Sequence, residues 1–65
     1  MSFHAVTWAL EQDLPTREKF TLVCLASYAD PSGKCWPSQA LIARQTGQSV
    51  RTVRACMERL EAQGY

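Results

Sequence analysis

The stretch Leu41 to Leu60, LIARQTGQSVRTVRACMERL, holds two helical patterns with one glycine between them. Its spacing constrains the fold more than any other part of the chain. Ser38 reads as the N-cap of a helix from Gln39 to about Thr46, with Leu41, Ile42 and Gln45 or Thr46 as core-facing candidates. Gly47 stops that helix, because a left-handed residue after the last turn is least strained when it lacks a Cβ. Ser49 then caps a second helix from Val50 to about Gln63, where Val53, Cys56, Met57 and Leu60 fall at i, i+3, i+4 and i+7. Only Gly47, Gln48 and Ser49 join the two. So short a connection does not let the helices lie antiparallel with ease, and they cross at a steep angle. The crossing needs a small residue at the touching point, supplied by Ala43, and apolar anchors on the second helix, supplied by Val53 and Cys56.

The upstream half reads as the scaffold for this pair. After the break DLPT, Thr16 is a candidate N-cap for a helix over 17–29, with Glu18 in its first turn where the helix dipole favours an acid. Phe20, Val23, Cys24 and Ser27, together with Leu22, Leu25, Ala26 and Ala29, make a wide apolar face that calls for burial over much of the circumference. DPSG ends the helix, and Lys34 to Trp36 suits one short β-strand. Periodicity over Phe3 to Gln12 does not decide between a short helix and an extended arm. The expected fold is therefore mainly α: a single three-helix domain over 1–65, with one short strand and a short N-terminal element as candidates.

A chain of 65 residues has a thin core, burying roughly 60 % of its surface on folding, so a partner or close helix packing is expected to support it. The net charge of +1 hides an asymmetry: residues 1–33 sum to −2 and residues 34–59 to +4. Positive charge thus gathers on the paired helices, as an anion-binding face requires. Cys24, Cys35 and Cys56 are odd in number, form no C-x-x-C pair and read as reduced thiols rather than a disulfide framework or a zinc site. No apolar run approaches the ~20 residues of a membrane span, and the N-terminus lacks the pattern of a secretory signal, so a cytoplasmic protein is expected. No nucleophile–base set, paired carboxylates or phosphate loop is visible; neither an enzyme, a cofactor nor a small-molecule substrate is expected.

The run WPSQALIARQTGQSVRTVRACMERLEAQGY resembles the winged helix-turn-helix domains of plasmid and phage replication proteins. The pattern S-x-x-T-V-x-x-x-x-x-x-L-x-x-x-G of related bacterial regulators is met by Ser49, Thr52, Val53, Leu60 and Gly64, and the resemblance covers about Trp8 to Tyr65. It implies sequence-specific binding of double-stranded DNA by a recognition helix in the major groove, within a replication initiator or a transcriptional regulator, encoded by a bacterium, phage or plasmid. Two departures stand out. That family continues beyond Gly64 and Tyr65 into a two-stranded wing, so either the chain is a fragment or the wing is absent. Val50 also occupies a position where many relatives have arginine.

In such a domain the N-terminal residues of the second helix face the base edges. Gln48, Ser49, Val50, Arg51, Thr52 and Arg54 are the candidates, since Arg pairs with guanine, Gln with adenine, and Val50 and the Thr52 methyl suit a thymine methyl. Ser38 and Gln39, at the start of the preceding helix, suit a phosphate, while Arg44, Lys34 and Arg59 would add non-specific attraction. Plainer readings accompany each: solvated arginines, an Arg54–Glu58 pair at i,i+4, and turn chemistry for Gln48. Trp8 and Trp36 read as core or interface packing, and His4 as a surface side chain. The rival function is a protein–protein assembly module on the same helical fold. A homodimer is compatible with both.

Overall fold

A computed structural model describes residues 3–28 and 37–65. Four helices follow one another: α1 (Phe3–Glu11), α2 (Thr16–Ser27), α3 (Gln39–Thr46) and α4 (Val50–Ala62). The N-terminal element is thus a full helix, giving four helices where the sequence led us to expect three. The strand expected at Lys34 to Trp36 lies outside the described residues, and no strand occurs among them.

Pro15 marks the boundary between the first two helices, since a residue without an N–H cannot continue α1. The N-cap of α2 is Pro15 rather than Thr16. Its locked φ of −57° suits the flanking position, and its carbonyl accepts from Lys19 N–H at 2.8 Å. Thr16 is therefore the first helical residue and provides no side-chain cap. The first turn instead draws on Glu18, whose carboxylate accepts from its own backbone N–H. At the other end α2 stops at Ser27, with Tyr28 as its cap, two residues before the expected Ala29.

The wide apolar face of α2 serves two clusters. Leu22 and Ala26 pack with Ala9 of α1 and Leu60 of α4, with Val6, Leu14 and Val23 alongside. Cys24 packs with Ile42 and Ala43 of α3 and Val53 of α4, flanked by Leu25, Tyr28 and Met57. α2 is consequently the central helix, in contact with each of the others. Phe20, expected on that apolar face, is half exposed. Of the core-facing candidates on α3, Ile42 is wholly buried and Leu41 and Thr46 partly so, whereas Gln45 is exposed and Ala43 takes its place in the core.

Both ends of the α3–α4 pair are closed by backbone chemistry. Ser38 Oγ accepts from Leu41 N–H at 3.1 Å and Ser49 Oγ from Thr52 N–H at 3.0 Å. Gly47 is left-handed with φ 72°, and the N–H of Gln48 returns to Ala43 O at 3.0 Å, the closure of a Schellman motif. The same device recurs after α4. Gly64, at φ 89°, lets its own N–H reach Glu61 O and the N–H of Tyr65 reach Leu60 O, both at 3.0 Å. That turn folds Tyr65 back onto α1, where its ring lies 5.6 Å from that of Trp8, tilted by 59°, and its hydroxyl donates to Gln12 Oε1 at 3.1 Å.

A Cβ added at Gly47 would meet nothing within 4 Å, so substitution there strains only the backbone. We expect Gly47→Ala to destabilise the domain by about 1 kcal/mol, Gly47→Asn by less and Gly47→Val by more, ranked by tolerance of positive φ. Thermal melting followed by circular dichroism checks the order.

Candidate nucleic-acid interface

The first two turns of α4 and the first turn of α3 hold most of the candidate residues. Ser49, Val50, Arg51 and Arg54 are exposed and Thr52 is half-buried. Ser49 and Thr52 are tied to one another: besides the cap, Ser49 Oγ donates to Thr52 Oγ1 at 2.9 Å. The α3 terminus is joined to this group by Gln39, whose Oε1 accepts from Arg54 Nε at 3.5 Å while its Nε2 points to Met57 Sδ at 3.9 Å. Ser38 is exposed with its hydroxyl engaged as the cap. Arg44 is exposed in the last turn of α3, where a cation suits the helix dipole. Among the described residues neither Arg44 nor Arg51 has an ion-pair partner, and the Arg54–Glu58 pair of the plainer reading is not formed.

Gln48 is placed differently from the sequence expectation of a base contact. Its side chain turns inward, and Nε2 donates to Thr46 Oγ1 at 2.8 Å and to Thr21 Oγ1 at 3.1 Å. Cys56 Sγ lies 4.0 Å from its Oε1. Thr46 Oγ1 in turn donates to Ile42 O at 2.8 Å. One amide therefore joins α2, α3 and α4, and Thr21 is wholly buried with Gln48 as its hydrogen-bond partner. A buried hydroxyl must find such a partner, and the turn residue is the nearest polar chain able to supply it.

Arg59 also departs from expectation. Its Nη1 donates to Glu18 Oε1 at 2.8 Å, which removes it from the list of cations seeking phosphate. The Glu18 side chain is 7 % exposed against 62 % for Arg59, so a covered carboxylate is held by a cation that reaches in from the surface. The hydrogen bond from Arg59 is the main reason the Glu18 carboxyl sits below its ordinary pKa, with its own backbone N–H helping and burial opposing. The pairing was readable in principle: Glu18 stands one turn before Leu22 and two before Ala26 on one stripe of the helix, and an acid in an apolar stripe requires a partner.

Lys34, Cys35 and Trp36 lie outside the described residues. Cys24 and Cys56 are buried free thiols, and burial pushes the Cys24 thiol up. Cys24 Sγ and the Tyr28 hydroxyl both donate to Gln45 Oε1, at 3.5 Å and 2.6 Å, so the exposed Gln45 is a link between α2 and α3. Trp8 is half exposed rather than core. Among the described residues no group of His, Cys, Asp and Glu side chains is placed to hold a metal, and no helix is long and apolar enough to cross a membrane.

Two capped helices joined through Gly47, with the second presenting arginines at its N-terminus, match a family in sequence as well: the helix-turn-helix domain pattern covers residues 12–65. The chain belongs to the helix-turn-helix domain family. Membership suggests DNA binding, and the matched region takes in α2, α3 and α4. Helix α1 precedes the matched region. The chain is also similar to Protein YmfN of Escherichia coli (strain K12), with 49 % identity over 41 residues, 63 % of this chain. The match takes in 9 % of that relative's length. No solved structure matches the chain significantly.

Two stability tests separate the inward residues from the exposed ones. Gln48→Leu strands the Thr21 hydroxyl, and a loss of about 1–3 kcal/mol is expected, seen as a lower melting temperature before any DNA is added. For the ion pair, a depressed carboxyl pKa means stability that is present above the ordinary value of 4.5 and lost as pH falls through the lower native value. We expect parent protein to lose melting temperature below pH 4.5 more steeply than Glu18→Gln. At pH 7, Arg59→Ala should be the worse variant, because it leaves a covered carboxylate without its cation.

Proposed function

We propose that this domain binds double-stranded DNA by seating the N-terminal half of α4 in the major groove, as part of a replication initiator or a transcriptional regulator. One observation carries the reading: charge is graded along α4. Arg51 and Arg54 stand exposed in the first two turns without a carboxylate partner among the described residues, whereas the third-turn Arg59 is neutralised by Glu18. Exposed Glu58 and Glu61 make the C-terminal half repulsive to phosphate. Approach to DNA is therefore favourable at one end of the helix, the end that helix-turn-helix proteins present to base edges.

The contact set follows from exposure. Arg51 and Arg54 serve guanine or phosphate, Val50 and Thr52 a thymine methyl, and Ser49 a phosphate or base edge. Ser38, Gln39 and Arg44 support the backbone side of the interface. Gln48 acts through the fold instead. In this reading the domain works in the cytoplasm of a bacterium, with a phage or plasmid gene as an equally suitable source. It is a binding domain rather than an enzyme. The alternative, an assembly module, draws on Leu10, Phe20 and Trp8, which are 55 %, 48 % and 47 % exposed. A homodimer formed there would join the two readings, since two-fold proteins pair with palindromic sites.

Fluorescence anisotropy with duplex DNA across a salt series tests the proposal. Binding at low salt should weaken as salt rises, and Arg51→Ala with Arg54→Ala together should abolish most of it. Each lost phosphate contact should reduce the slope of log affinity against log salt by about 0.9. A parent protein that binds no duplex at low salt, or a double variant that binds as the parent does, overturns it. Sedimentation of the free protein and of the complex reports the dimer.

A further inference from the structure

We infer that Gln39 is a positioning residue that holds Arg54 for a two-pronged contact with guanine, an inference that rests on the DNA-binding reading above. The guanidinium has two edges able to make paired hydrogen bonds: one formed by Nε and one Nη, the other by the two Nη groups. The Gln39 amide oxygen accepts from Arg54 Nε at 3.5 Å, occupying the first edge and leaving the second. A terminal Nη pair matches the O6 and N7 acceptors that guanine displays in the major groove.

Gln39 is itself restrained. It opens α3 beside the Ser38 cap, is half-buried, and its amide nitrogen rests on Met57 Sδ at 3.9 Å. Met57 in turn packs against the cluster of Ile42, Ala43 and Val53 that fixes α3 on α4. The amide oxygen thereby faces Arg54 from a neighbouring helix rather than from α4 itself. A tethered guanidinium presents a fixed pair of donors, which suits two phosphate oxygens as well as a base edge. Only at a base edge does that orientation select a sequence, so base preference is what tells the two contacts apart. Being neutral, Gln39 also leaves the full positive charge on Arg54, which the i,i+4 carboxylate of Glu58 would have cancelled.

The test is selection from a randomised duplex library by the 65-residue chain and its variants, with anisotropy on the selected duplex and its single-base changes. The parent should fix a guanine at one position of the site. Arg54→Ala should lower the preference for that guanine over adenine roughly tenfold or more, leaving other positions intact. Gln39→Ala should lower the same preference severalfold, by more than any uniform loss of affinity it causes across unrelated duplexes, with its melting temperature unchanged. It should have no further effect on base preference once Arg54 is alanine. Gln39→Glu, which keeps the acceptor, should restore the guanine preference while weakening overall affinity through its charge. If Arg54→Ala weakens all sequences equally and flattens the salt slope, Arg54 touches phosphate and the inference is overturned. Should Gln39→Ala leave the guanine preference at the parent level, Gln39 has no positioning role. Those two outcomes leave DNA binding standing; a parent that selects no duplex removes both.

Discussion

The amide of Gln48 is the interaction on which the α3–α4 geometry depends. Gly47 lets the chain turn, yet a left-handed residue only reverses direction and does not by itself fix an angle. Nε2 of Gln48 ties the turn to Thr46 on α3 and Thr21 on α2 together, and its Oε1 meets Cys56 Sγ of α4 at 4.0 Å. Rotating α4 about the turn would open the contact with Cys56 while the other end of the amide stays held. Apolar contacts among Ile42, Ala43 and Val53 give the pairing most of its energy, since burial is non-directional and roughly proportional to area. The polar link adds direction, which an apolar contact between short helices lacks.

Charge on the same helix is sorted by a second cross-helix link. α4 carries arginines at 51, 54 and 59, and a uniform cationic face would attract phosphate along its length. Glu18 prevents this by taking Arg59 into a pair with α2, so the one interaction docks the C-terminal half of α4 and silences its charge. With a net charge of only +1, the domain concentrates its positive charge on the paired helices rather than spreading it over the surface.

How far the sequence reveals this structure depends on the range of the interaction concerned. Local chemistry was legible: the Ser38 and Ser49 caps, the left-handed Gly47 and the i, i+3, i+4, i+7 stripe of α4 all depend on neighbours within a turn or two. Residues whose role depends on distant partners were not. Gln48 and Arg59 both looked like exposed polar groups because Thr21 and Glu18, which claim them, stand 27 and 41 residues away. Thr16 failed for another reason: Pro15 already occupies the flanking position, and a fixed φ there moves the helix start by one residue. The candidate site was thus readable as a region, the N-terminal end of α4, whereas the inward placement of Gln48 and the pairing of Arg59 were not.

Helix α1 shows how a thin core is completed. It lies before the region matched by the family, yet wholly buried Ala9 sits against Leu22 and Ala26, on the face of α2 that α3 does not cover. Without α1 that face would be open to water, and a domain this small has little apolar burial to forgo. The link closes from the other end of the chain as well. Gly64 turns Tyr65 onto Trp8, so the last residue of the motif region clasps the first helix and limits fraying of α4. The first and last helices thereby stabilise each other through Trp8 and Tyr65, and the rigidity of the N-terminal half of α4 draws on contacts made at the opposite end of the same helix.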